Sequence, residues 1–197
     1  MSRSIGLGRT LSKGAAGFLA GVAIWAGLSE PYHRTLAGPA QALIRTFESP
    51  PVTRLRAEKR EIILDRDDFL PSSPRPGVPA DDLDFNVAIF AALFASRRDP
   101  FSDAALRRLA LGAGLLWLTH VAAIVFAVEN IDATAMGEWS AAHYGWTARN
   151  FWATGHHFYR IAGMFAVPFA LWWALARPEI ATPEEGGPRR RKFGRRK

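Results

Sequence analysis

The sequence predicts a mainly α membrane protein: four transmembrane helices with a small α+β extracytoplasmic insertion between the first and second. Three observations lead there. Of the 197 residues 49% are hydrophobic, but they are clumped into a few long blocks, so a near-neutral mean hydropathy conceals segments of membrane-spanning length. Basic residues gather near both termini and in one connector, the asymmetry expected of segments retained on the cytoplasmic side. Cysteine is absent, which removes disulfide frameworks, thiolate metal sites, lipidated cysteines and Cys nucleophiles together. A His/carboxylate metal site or a His-held haem survives that exclusion.

A cytoplasmic N-terminus (1–10) leads into the first span, 11–28 (LSKGAAGFLAGVAIWAGL), roughly 27 Å long as a helix. Arg3, Arg9 and Lys13 ahead of an apolar run are also a signal-peptide pattern. However, Ser29-Glu30-Pro31 offers no small-x-small cleavage site, so the segment reads as an uncleaved anchor. Gly17 and Gly21 make a GxxxG that permits close approach of another span, within the chain or in a second copy.

Residues 29–84 form the insertion. Leu36, Ala40, Leu43, Ile44 and Phe47 at helical spacing predict an amphipathic helix after Pro31. Val52 to Ala57 and Glu61 to Leu64, about Glu58-Lys59-Arg60, suggest a β-hairpin. From Pro71 to Pro79, PSSPRPGVP has too few backbone donors for helix or sheet and should run extended as a strap. With few large apolar side chains, this module should lean on the helices.

The second span, 85–96 (FNVAIFAALFAS), reaches only about 18 Å as a helix, short of a hydrocarbon core of about 30 Å. Charge parity makes it cross. The loop 97–108 carries Arg97, Arg98, Arg107 and Arg108, and the tail 177–197 carries eight bases, so both belong inside with the N-terminus. Segment 29–84, with eight bases against ten acids, and segment 129–157, with one against three, lack such an excess and lie outside. The third span is 109–128, with His120 as its one ionisable group. The fourth is 158–176, where Arg160 can snorkel outward, Trp172 and Trp173 suit the opposite interface, and Pro168 should kink the helix.

The aromatic, His-rich stretch before the fourth span reads either as a helix lying in the membrane interface or as a partner-recognition surface. On the second reading Trp139, His143, Tyr144, Arg149, Asn150, Trp152, His157, Tyr159 and Arg160 would line it, because aromatic anchors and polar groups concentrate there. An alternative uses His120 and His157 as ligands of a haem or metal; the competing expectation for His120 is a hydrogen bond to Thr119 or Asn86. Ser140 and His143 sit one helical turn apart but lack an oxyanion site, and Glu138 is the only near acid. Gly6-Leu-Gly8 lacks both a third glycine and a preceding strand, so a dinucleotide loop is excluded. No catalytic residue, cofactor or metal is therefore assigned. The expected partners are the bilayer and, for the tail RRRKFGRRK, anionic lipids, with no nucleic acid.

The chain resembles the exosortase H-associated membrane proteins. The resemblance is carried by the N-terminal span, FNVAIFAALFAS at 85–96, EWSAAHYGWTARNFW at 138–152 and HFYRIAGMFAVPFALWW at 157–173, and covers most of residues 14–173. It implies a bacterial inner-membrane, multi-pass protein with cytoplasmic termini. It also implies a non-catalytic accessory or assembly factor whose partner is an exosortase or its substrate, in protein sorting at the cell envelope. Exosortases resemble Cys/Arg/His enzymes, and a chain without cysteine cannot do that chemistry. The resemblance supplies no functional residues.

Overall fold

The computed structural model describes residues 2–72 and 74–180, with side chains over 8–72 and 74–175. The expected anchor and amphipathic helix are one element, α1, running from Ser2 to Arg45 with Pro31 and Pro39 inside it. Proline weakens a helix by removing one donor and crowding a carbonyl. Here Tyr32 and His33, immediately after Pro31, hydrogen-bond to other elements, and this tertiary anchoring overrides the local break.

The hairpin is present as β1 (Thr53–Glu58) and β2 (Glu61–Arg66), joined by a tight turn in which Lys59 takes φ 53°. The Pro-rich strap departs from expectation at its end. Gly77–Pro79 forms a third strand, β3, antiparallel to β2, so the sheet order is β1-β2-β3. Proline carbonyls still accept, and Pro76 takes a bond from the Leu64 amide at 2.8 Å, which makes an edge strand affordable. The sheet leans on the helices as expected. Ile62, Leu64 and Val78 share a core with Leu36, Ala40 and Ile44 of α1 and with Val121, Ile124 and Val128.

A single turn, α2 (Asp81–Asp84), leads through Phe85 into α3 (Asn86–Ala95), which runs antiparallel to α1. The pairing is tied at both ends: the Trp25 indole donates to Asp84 at 2.8 Å, and Lys13 Nζ donates to the Arg98 carbonyl at 2.9 Å. Between the ties the GxxxG packs within the chain. A Cβ on Gly21 would lie 2.8 Å from the Ala88 Cα, and one on Gly17 would lie 2.9 Å from the Ala91 carbonyl oxygen. Small residues on both helices allow that approach.

Helix α4 (Asp103–Thr134) starts at Ser102, whose hydroxyl accepts from the Ala105 amide, and Asp103 complements the helix dipole. Gly137, at φ 61°, turns the chain into α5 (Glu138–His143). Then α6 (Trp146–Phe158) passes through a π-helical turn, Tyr159–Gly163, into α7 (Met164–Ile180). So α6 and α7 follow one another in one column packed along α4. Gly155 sits against the Phe126 ring, and farther along the column Leu175 reaches Gly112. A second core of Phe90, Phe94 and Leu116 packs with Val167, Leu171 and Leu175.

Among the described residues three helical stretches, Gly8–Arg45, Asp103–Thr134 and Trp146–Leu175, are long and apolar enough to cross a membrane. Their outer faces expose large apolar side chains, including Leu19, Ile24 and Leu28 of α1, Leu111 and Leu118 of α4, and Ile161, Phe165 and Phe169 of the last column. A belt of that extent is the signature of a surface that faces lipid. The fourth expected span, α3, is only 10 residues long and wedged among α1, α4 and α7. The basic tail lies outside the described residues from 181 onward.

Candidate functional site

The bundle has a basic end, where Lys13 meets the α3–α4 turn, and a sheet end. At the sheet end the period-2 alternation of β2 turns Ile62, Leu64 and Arg66 to the buried side. Arg66 is the hub of a charged cluster. Its Nη1 donates to Asp132 of α4 at 2.9 Å, its Nε and Nη2 fork onto Asp68 at 2.9 and 3.0 Å, and Glu48 lies 3.5 Å away. The Trp139 ring covers the guanidinium at 4.5 Å, a cation–π contact. Trp139 also stacks on His143 at 4.3 Å, and the Tyr144 hydroxyl donates to Glu129 at 3.0 Å.

All of these groups except Asp132 line a cleft of about 460 Å³ with Phe47, Pro50, Val52 and Trp152. The hydrogen bond from Arg66 holds the Asp68 carboxyl below the usual carboxylate range. Burial, reinforced by Glu129, pushes the Tyr144 phenol well up, so it remains a donor at neutral pH. Glu48 accepts from the Thr53 amide at 3.0 Å and from its hydroxyl, which pins the loop before β1 to the rim. The cleft thus combines stiff aromatic walls with fixed carboxylates.

The nine residues expected on one surface divide among four places. Trp139, His143, Tyr144 and Trp152 line the cleft, and Arg149 braces it by donating to the Tyr144 carbonyl at 2.8 Å. Asn150 and His157 lie on a different, exposed groove with Phe158 and Ile161. Tyr159 is turned into the bundle, and Arg160 pairs with Asp82 at 3.2 Å. Helical phase separates them, since α6 has only one face toward α4. The Ser140–His143 pair does not form either. Ser140 is buried, donates to the Asp132 carbonyl at 2.6 Å and accepts from the Met136 amide, whereas His143 donates to the Trp139 carbonyl.

Below the cleft, toward the basic end, a polar layer crosses the bundle. His120 is fully enclosed, with Nδ1 2.6 Å from the Tyr32 hydroxyl and Nε2 2.7 Å from Asn86 Oδ1. Because Thr119 donates to the Leu116 carbonyl, the donor order follows along the chain. Tyr159 donates to Thr119, Asn86 Nδ2 to Tyr159, His120 Nε2 to Asn86 Oδ1, and Tyr32 to His120 Nδ1. Both ring nitrogens are used, so His120 has no lone pair for a metal. His157, on the exposed groove, does not share its site, and the His120/His157 ligand pair finds no support in this geometry. The expected Asn86 bond is the one made.

At the sheet-side edge of this layer His33, also fully buried, directs Nε2 to Asp84 at 2.8 Å and Nδ1 to the Lys59 carbonyl at 3.2 Å. Asp81 stands 3.6 Å from the same Nε2. Burial, the larger effect, pushes the Asp81 carboxyl up against the opposing pull of Arg60. Among the described residues, His33, Asp81 and Asp84 are the set whose ligand atoms converge closely enough to hold a metal ion.

Sequence reasoning missed Arg66, Glu48, Asp68, Glu129 and Asp132. The available signals were Arg66 in phase with Ile62 and Leu64, and two acids three residues apart at the end of the longest apolar run. Fold and site together define a helical, membrane-embedded bundle capped by a small sheet, with an aromatic and acidic cleft at the capped end. No protein-family model, curated protein or solved structure matches the chain.

Proposed function

We propose that this protein is a non-catalytic integral membrane accessory or assembly factor that holds a segment of a partner protein in its sheet-end cleft. The observation that carries this reading is the cleft itself, where Trp139, His143, Tyr144 and Trp152 stand around carboxylates held in place by Arg66. Rigid aromatic and Arg side chains in a recess are what anchor protein interfaces. The candidate nucleophile Ser140 is committed to backbone partners, which favours binding over catalysis.

The positive-inside rule puts the basic end, with Lys13, Arg97, Arg98, Arg107 and Arg108, in the cytoplasm and the cleft on the far side. Helix α3, extended by α2 and Phe85 to about 22 Å, is the fourth crossing. Its two ends support this, with Asp81, Asp82 and Asp84 toward the sheet and Arg97 and Arg98 toward the basic end. Both termini are then cytoplasmic, in a multi-pass inner-membrane protein whose tail engages anionic lipids. The resemblance to exosortase H-associated membrane proteins names the partner as an exosortase or its substrate.

The test is crosslinking in native membranes followed by identification of captured proteins. Wild type is expected to retain an exosortase or its tagged substrate, and Trp139→Ala and His143→Ala to lose at least tenfold of it. Equal recovery with the two variants, or capture without any sorting component, overturns the reading.

A further inference from the structure

We infer that His33, Asp81 and Asp84 form a divalent-metal site, of the nitrogen/oxygen type that zinc occupies, where α1, the β1–β2 turn and α2 meet. The inference is independent of what the cleft binds.

One ligand atom from each of His33, Asp81 and Asp84 lies within 4.8 Å of the other two, and His33 Nε2 faces Asp81 Oδ1 and Asp84 Oδ2. Two of the separations are 2.8 and 3.6 Å. Ligands about 2.0–2.2 Å from a zinc ion stand roughly 3–3.5 Å apart, so small side-chain adjustments bring these atoms to bonding distance. Imidazole with two carboxylates is a set suited to zinc and related first-row ions.

The outer contacts strengthen the case. A metal-ligating histidine characteristically donates its other ring N–H to a carbonyl or carboxylate. His33 Nδ1 does so to the Lys59 carbonyl at 3.2 Å. Each carboxylate likewise has its outward oxygen held: Asp84 Oδ1 accepts from the Trp25 indole at 2.8 Å, and Asp81 Oδ2 pairs with Arg60 at 3.0 Å. Every candidate ligand is therefore oriented from behind, with its second atom aimed inward. Asp81 Oδ1 is buried and makes no hydrogen bond, although a buried carboxylate oxygen ordinarily has a donor. A cation between Asp81 and His33 would satisfy it.

The exchange balances. The incoming ion takes the Nε2 lone pair of His33, and the proton that Nε2 shares with Asp84 leaves to solvent as the ion replaces it. Arg60, largely exposed and lying over Trp25 at 5.9 Å, stands between Asp81 and solvent. Its flexible side chain is the route by which an ion reaches the carboxylates.

The experiment uses the full chain in detergent, purified with an affinity tag free of histidine, stripped with chelator and titrated with zinc chloride against a chromophoric zinc indicator. Wild type is expected to take up one equivalent. Asp81→Asn, which keeps the side-chain shape but removes an anionic ligand, should bind at least tenfold more weakly. Glu30→Gln, on an exposed residue paired with Arg34, should bind as wild type does. Zinc should also raise the melting temperature of wild type and Glu30→Gln but not of Asp81→Asn, a readout that separates lost binding from lost folding. No uptake by wild type, or equal uptake by Asp81→Asn and Glu30→Gln, overturns the assignment.

Discussion

A disulfide engineered between α1 and α3 probes the pairing on which the bundle rests. A Cβ placed on Gly14 would stand 3.7 Å from the Ser96 Cβ. The mean separation across natural disulfides is about 3.8 Å, so Gly14→Cys with Ser96→Cys should bond without moving either helix. The sequence contains no cysteine, and every thiol in the variant chain is therefore an introduced one. Closing a loop of about 80 residues restricts the unfolded chain by roughly 4.5 kcal/mol in the loop-entropy treatment, an upper value when helices persist in detergent. The assay is mild oxidation in native membranes, read as faster migration on a non-reducing gel and then as a higher melting temperature that reductant abolishes. The control pairs Ser96→Cys with Gly27→Cys, because position 27 faces open space. Slow migration with dimer bands would show the GxxxG face pairing between chains. A 14/96 pair that stays as reduced as the control would refute the α1–α3 packing described above.

Two further outcomes follow from the charged cluster. Arg66→Met leaves the Asp132 carboxylate, 2% exposed, without its counter-ion and should cost about 3–5 kcal/mol in detergent denaturation; adding Asp132→Asn should recover more than half, and an equal loss in single and double variants would argue against the pairing. Asp68 is half exposed and its carboxyl is held low by Arg66, so its small stabilisation is present above the ordinary carboxylate pKa of about 4 and fades as pH falls through the lowered value. Asp68→Asn should flatten that acid limb of the melting profile, and an unchanged limb would assign it to another carboxylate.

Hydropathy and strand patterning were enough to locate the three long apolar helices and the hairpin, because apolar runs and alternation are written residue by residue. What could not be read locally was continuity. Pro31 looks like a boundary, and the helix continues through it where Tyr32 and His33 bond to other elements and Leu36, Ala40 and Ile44 pack in the core. Similarly, Pro71 to Pro79 shows the loss of donors but not that its carbonyls would be enough for an edge strand. The candidate site was half legible. Trp139, His143, Tyr144 and Trp152 lie near one another in the chain and in the cleft. Arg66 and Asp132, by contrast, are joined across 66 positions, a distance no local pattern spans. Asn150, His157, Tyr159 and Arg160 were grouped by composition and then dispersed by the 100° advance of each helical residue.

The donor chain from Tyr32 to Thr119 threads α1, α4, α3 and the π-turn at a single height. Sliding any one of these rods by a turn, about 5.4 Å, would uncouple it from the rest and strand polar atoms in a greasy interior. The layer therefore acts as a vernier that indexes the rods against each other, and wherever the sheet and its recess ride, they ride at a height set by these five side chains.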